Sequence, residues 1–124
     1  MIEKSLTDLK RLISVCNGEV SPDVLVEGAE VLDVHSGCPY PANIWISQSW
    51  IAYVGPKRPS IDKKTLMIDA SGKVAVPGYI DAHGHADLFY NPAAFADFAV
   101  TRGATTVFSD AHDMVGAIGV GGFT

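Results

Sequence analysis

The sequence predicts an α/β chain: an N-terminal helix, a β-rich segment of hairpins in a small sandwich, then the first strand–helix–strand of a parallel sheet or barrel. Three observations carry this. Apolar residues recur at helical spacing near the N-terminus. From about residue 20, short alternating runs are separated by Gly, Pro and polar turns. After Pro77, strand-like and helix-like runs take turns, the pattern of a parallel α/β arrangement.

Each element has its own justification. In "SLTDLKRLISVC", Leu6, Leu9 and Ile13, with Val15, fall near helical spacing; Ser5 or Thr7 can cap the start and Asn17–Gly18 stops the run. Residues 1–19 therefore read as a helix that docks and carries no chemistry. "DVLVEGAEVLDV" and "ANIWISQSWIAYVG" alternate as strands do, with Ile44, Ile46 and Tyr53 among the strand formers, and "MIDASGKVAVPG" follows. "HSGCPYPA" and "GPKRPS" punctuate them, which makes residues 20–77 a compact β-rich unit. His35, in the first connection, reads as an exposed turn residue.

Residues 78–124 change character. "GYIDAH" is a short strand, "NPAAFADFAVTRG" a helix with Phe95, Phe98 and Ala99 on one face, and "ATTVFSD" a second strand; "AHDMVGAIG" starts another helix. Closing a parallel barrel takes eight such units and about 250 residues. The expectation is a chain that forms the N-terminal part of something larger. "GAIGVGGF" fits neither of the Gly-rich phosphate-loop patterns.

Composition excludes several classes. Apolar residues make up 48% and charged residues 19% of the 124, a globular balance. Nine basic against fourteen acidic residues give a net charge of -5, which disfavours nucleic acid. Cys16 and Cys38 lie far apart without Cys-x-x-Cys spacing, as in a reduced compartment. The N-terminus lacks a continuous apolar signal core, and no run approaches the roughly 18 apolar residues of a spanning helix. The reading is a soluble, cytoplasmic protein with neither a nucleic-acid nor a membrane partner.

The chemistry concentrates in "VPGYIDAHGHADLF", residues 76–89. In a strand, side chains at i and i+2 share a face, so His83 and His85 project together with Asp81 on the same parity. Two imidazoles converging at a strand's C-terminal end can share one divalent metal. Asp81 can orient one imidazole by taking its second N–H, supporting the pair without being a ligand. A bare His-x-His arises equally at an ordinary strand end, with the rings bonded to backbone. What favours the metal is "VPGYID": a strand start at Pro77–Gly78, the strand itself, and a carboxylate in register. Asp110, His112 and Asp113 follow the second strand and could line a substrate pocket or hold an accessory metal. They serve equally as a helix cap, Asp110 at the N-terminus and Asp113 in the first turn.

"VPGYIDAHGH" resembles the Pro-Gly-x-Ile-Asp-x-His-x-His signature of the metal-dependent amidohydrolase superfamily, and the β-rich segment before it is similar to the small composite sandwich preceding the barrel there. Within that superfamily the chain looks like the bacterial adenine deaminases. "LKRLISVCNGEVSPDVLV" is similar to their N-terminal helix and turn. "RGATTVFSDAHD" stands where they carry a Gly-x-Thr-Thr-Val strand and Asp-Pro-His-Glu. Ala111 and Asp113 replace the Pro and Glu, and "ADLFYNP" differs from their Glu-Ser-Ser stretch, at places where substrate could be contacted. The resemblance implies an incomplete TIM-like (β/α)8 barrel over 78–124, with His83 and His85 holding one ion (Mn, Fe or Zn) of a one- or two-metal centre. It also implies hydrolysis of a C–N bond, adenine to hypoxanthine and ammonia, in purine metabolism, with a small-molecule purine partner and room for a homo-oligomer. The general acid/base and remaining ligands are expected beyond residue 124, so the isolated chain is expected to be inactive. The rival readings are another amidohydrolase, a cyclic amidase or deacetylase, and a truncated chain acting only as a folding or assembly module.

Overall fold

The computed structural model describes residues 5–85, 91–109 and 116–119. They divide into two compact units, Met1–Val76 and Pro77–Thr124.

The first unit opens with α1 (Leu6–Cys16). Ser5 is its cap: its hydroxyl accepts the Asp8 N–H and the Asp8 carboxylate accepts the Ser5 N–H, a reciprocal capping box. Asn17 ends the helix, and Gly18 at φ +77° turns the chain away. The docked side differs from the expected one. Leu6 and Ile13 stay exposed (68% and 58%), whereas Val15 is fully buried. The docked stripe is Asp8, Arg11, Leu12, Val15 and Cys16, spaced i, i+3, i+4, i+7, i+8, and it mixes charge with apolar surface.

Five strands follow: β1 (Val24–Leu32), β2 (Pro39–Ser47), β3 (Trp50–Gly55), β4 (Leu66–Asp69) and β5 (Val74–Ala75). They form one mixed sheet in the order β3-β2-β1-β4, with β5 beside the far half of β1. β1–β2 and β2–β3 are antiparallel hairpins; β4 and β5 run parallel to β1. A bulge in β1 between Val26 and Ala29 is built on Gly28, whose φ of +77° suits a residue without a Cβ, and whose N–H donates to Asn43 Oδ1 at 3.2 Å. The β2–β3 turn puts Gln48 at φ +54°, held from both sides. Its N–H donates to Asp23 Oδ2 at 2.7 Å and its side-chain amide to Asp8 Oδ1 at 2.9 Å. Arg11 pairs with the same Asp23, so helix, loop and hairpin turn meet on one carboxylate.

The core of this unit is small: Val15, Leu25, Ala29, Ala42 and Trp45 are buried. Burying a side chain such as Val15 contributes about 1.5–3 kcal/mol, whereas the half-exposed Arg11–Asp23 pair contributes about 0–1. Packing holds the helix, and the polar contacts fix where it sits. Trp45 lies against Tyr53, ring centres 4.3 Å apart, and its indole N–H donates to the Lys57 carbonyl at 3.2 Å. His35 is exposed in the β1–β2 turn, its N–H on Asp33 Oδ1 at 2.9 Å.

The second unit contains β6 (Tyr79–Gly84), α2 (Pro92–Thr101) and β7 (Ala104–Ser109). β6 and β7 pair in parallel, as the strand–helix–strand order requires. Asn91 caps α2, its Oδ1 accepting the Ala93 N–H at 2.9 Å, and Pro92 occupies the first turn, where no N–H is needed. Ala99 is buried, but Phe98 is 61% exposed with the Arg102 guanidinium 5.3 Å above its ring. Phe95 and Ala99 are nearly aligned along the helix, four residues apart; Phe98 is turned about 60° from Phe95. Tyr79, Ile80 and Phe108 are also more than 60% exposed, so this pair of strands offers apolar surface on which further elements could pack.

Candidate metal centre

The candidate site is the C-terminal end of β6. The strand begins after Pro77–Gly78, and the close approach there explains the glycine. A Cβ on Gly78 would lie 2.8 Å from the Thr105 Cβ and closer still to its Oγ1 and Cγ2. Thr105 is the extra residue of a β7 bulge, since Tyr79 pairs with Ala104 and Ile80 with Thr106. The Tyr79 N–H donates to the Gly103 carbonyl at 2.8 Å, which sets the register from which β6 runs.

Further along, Asp81 pairs with Val107 and Gly84 with Ser109. Three steps on β6 thus match two on β7, and β6 bulges between Asp81 and Gly84. Simple alternation is interrupted where it was expected to align the three side chains. The two imidazoles nevertheless come together: the His83 and His85 ring centres are 4.7 Å apart, with planes at 87°. Both residues are exposed.

Two imidazoles bound to one tetrahedral ion through bonds of about 2.0–2.1 Å have ring centres about 5 Å apart. The observed spacing and the imidazole nitrogen donors fit a divalent ion. Two donors do not complete a shell, and among the described residues no group of three or more His, Cys, Asp or Glu forms a metal site. A metal held by this pair would need further ligands from other residues. The Asp81 carboxylate takes the His83 main-chain N–H on Oδ1 at 3.2 Å, where a bond to an imidazole was expected. Asp110, His112 and Asp113 lie outside the described residues.

Among the described residues a groove of about 510 Å³ lies elsewhere, between α2 and β7, lined by Phe95, Ala99, Val100, Thr106 and Val107 among others. Neither histidine lines it, and its apolar walls make it a packing surface rather than a reaction site. The close Gly78–Thr105 approach and the β6 bulge were not anticipated from sequence. The visible signals were "PG" at the strand start and Gly84 between the histidines.

No family model matches the chain. It is 36% identical over 121 residues to the adenine deaminase of Edwardsiella ictaluri, covering 97% of this chain and 20% of that protein. It is 35% identical over 115 residues to the adenine deaminase of Paracoccus denitrificans, covering 90% and 19%. The chain thus spans about a fifth of the length of these curated relatives. Among solved structures it is similar to the zinc-containing N-acyl-D-glutamate deacylase of Bordetella bronchiseptica, with a TM-score of 0.58 and 28% identity over 73% of this chain and 19% of that one. No helix among the described residues is long and apolar enough to cross a membrane. The chain belongs to the metal-dependent amidohydrolase superfamily and is related along most of its length to the adenine deaminases.

Proposed function

We propose that the protein carrying this chain hydrolyses the exocyclic C–N bond of adenine, giving hypoxanthine and ammonia, with His83 and His85 holding a divalent ion. The observation that carries the reading is the pair of imidazoles brought edge to face at the end of β6, 4.7 Å apart, in a chain related to adenine deaminases. Each ring offers one nitrogen to the ion, and the strand end leaves both exposed for a substrate to approach. A bound divalent ion would supply an activated water near neutral pH, the nucleophile this hydrolysis needs. Asp110, His112 and Asp113 in this reading serve the substrate or an accessory metal. In this reading residues 1–19 are a docking helix, 20–77 part of a composite sandwich, and 78–124 the start of a (β/α)8 barrel. The acid–base group and the remaining ligands come from further strands of that barrel.

The test is ammonia release from adenine by the purified full-length protein loaded with Mn, Fe or Zn, beside its His83→Ala and His85→Ala variants. Metal content and turnover should fall together in both variants, and His35→Ala should change neither. Retention of metal and activity by both histidine variants would refute the assignment. The likeness to the deacylase favours one rival, hydrolysis of an N-acyl amino acid. Release of a carboxylate and the free amino acid from an N-acyl amino acid, with no ammonia from adenine, would establish that rival.

A further inference from the structure

We infer that Asp81 is a positioning residue that acts through the main chain: its carboxylate closes the β6 bulge on the His83 amide and so turns the two imidazoles toward each other. The inference rests on the reading of His83 and His85 as the ligand pair. Three observations meet here. One extra residue lies on β6 between Asp81 and Gly84, opposite Val107–Ser109. Asp81 Oδ1 accepts the His83 N–H at 3.2 Å, the i to i+2 bond of an Asx turn, which takes this amide out of the plain ladder. The same carboxylate folds forward over Gly84, where an added Cβ would stand 3.6 Å from Asp81 Oδ2 and 3.2 Å from Val107 Cγ1. A side chain at position 84 would crowd Val107 and touch the carboxylate at ordinary contact distance, so the glycine keeps this corner open for the turn.

This assigns Asp81 a different task from polarising an imidazole. A charge acting on a ring nitrogen raises ligand basicity and is lost with the charge. A main-chain acceptor needs only an oxygen at the right distance, which asparagine also provides and alanine does not. The two tasks therefore separate by substitution.

The experiment compares wild type, Asp81→Asn and Asp81→Ala in the full-length protein, with two readouts. The first is zinc affinity from chelator competition. The second, on metal-free protein, is amide hydrogen exchange of the peptide spanning residues 79–85. Asp81→Asn should hold zinc within about threefold of wild type and keep the His83 amide protected. Asp81→Ala should lose about 10–100-fold in affinity, the range for groups supporting a metal ligand, and exchange faster. An Asn variant as weak as the Ala variant overturns the proposal in favour of a charge effect, and so does unchanged exchange in Asp81→Ala. Should the Ala variant fail to fold, the zinc affinity of Asp81→Asn alone decides between acceptor and charge. The exchange readout needs no metal, so it stands even if His83→Ala shows that the pair binds none.

Discussion

Gly78→Ala tests the close approach from which β6 starts. Gly78 has no positive φ, so alanine is compatible with its backbone, and in open space this change would stabilise by about 0.4–1 kcal/mol through the unfolded chain. The space is not open: the new Cβ would be 2.8 Å from the Thr105 Cβ, against about 3.5–4.0 Å for carbon atoms in ordinary contact. Rotating the threonine cannot remove that contact, because its Cβ is fixed to the strand. β6 and β7 must separate locally, and overpacking of this kind costs about 1–3 kcal/mol. The net expectation is a loss of about 1–2 kcal/mol, read as a urea midpoint lower by about 1 M. Thr105→Ala removes Oγ1 and Cγ2 but not Cβ, so it should rescue Gly78→Ala in part; Thr105→Gly should remove the clash entirely, at the usual strand cost of glycine. A double-mutant cycle of Gly78→Ala with Thr105→Gly should give a coupling of at least about 1 kcal/mol. Strict additivity, or a Gly78→Ala protein as stable as wild type, would refute the packing argument. Metal affinity is the second readout, since β6 carries the disturbance directly to His83.

Other expectations follow from the first unit. The Asp23 carboxyl is held below the usual carboxylate range, chiefly by the Gln48 N–H and also by Arg11. Its contribution to stability is present above the unfolded value of about 3.9 and is lost as pH falls through the lower folded value. Unfolding midpoints should therefore be insensitive to Asp23→Asn in slope between pH 5 and 7, while below pH 4 the variant should lose stability less steeply; equal slopes there would sink the assignment. Gly28→Ala should destabilise by about 1–2 kcal/mol, because φ +77° is left-handed backbone, and Ser71→Ala should not rescue it although Ser71 Oγ is the nearest atom. Full rescue by Ser71→Ala, measured in urea, would show a side-chain clash instead.

What the sequence made legible was governed by short-range rules. Alternation and Gly/Pro punctuation located the strands, and strand–helix–strand order implied the parallel β6–β7 pair. Of the stripe read from spacing, Leu6, Leu9, Ile13 and Val15, the structure buries Val15 alone, for a physical reason. Hydrophobic spacing selects Leu6, Leu9 and Ile13, but the side facing the sheet carries Asp8 and Arg11 beside Val15, with their charges engaged by Gln48 and Asp23. Partners so distant in sequence leave no periodic trace. Phe98 fails in a similar way, because helical spacing alone does not say how wide a face the neighbouring strand covers.

The histidine pair shows the same limit at the site itself. Alternation expected Asp81, His83 and His85 on one face of a regular strand. The rings do converge, but along a bulged backbone in which three residues of β6 span two of β7. A bulge depends on the partner strand's register, here set by Thr105 against Gly78 and by the Tyr79–Gly103 bond, none of which is local to His-x-His. An unbulged strand would keep the i, i+2 rings on one side about 7 Å apart at their Cα atoms, leaving the side-chain torsions alone to close the gap. The Asx turn at Asp81 places part of that task in the main chain, which is stiffer. The motif therefore specifies more than two donors: the aspartate and the intervening glycine specify the bend in the backbone that carries them.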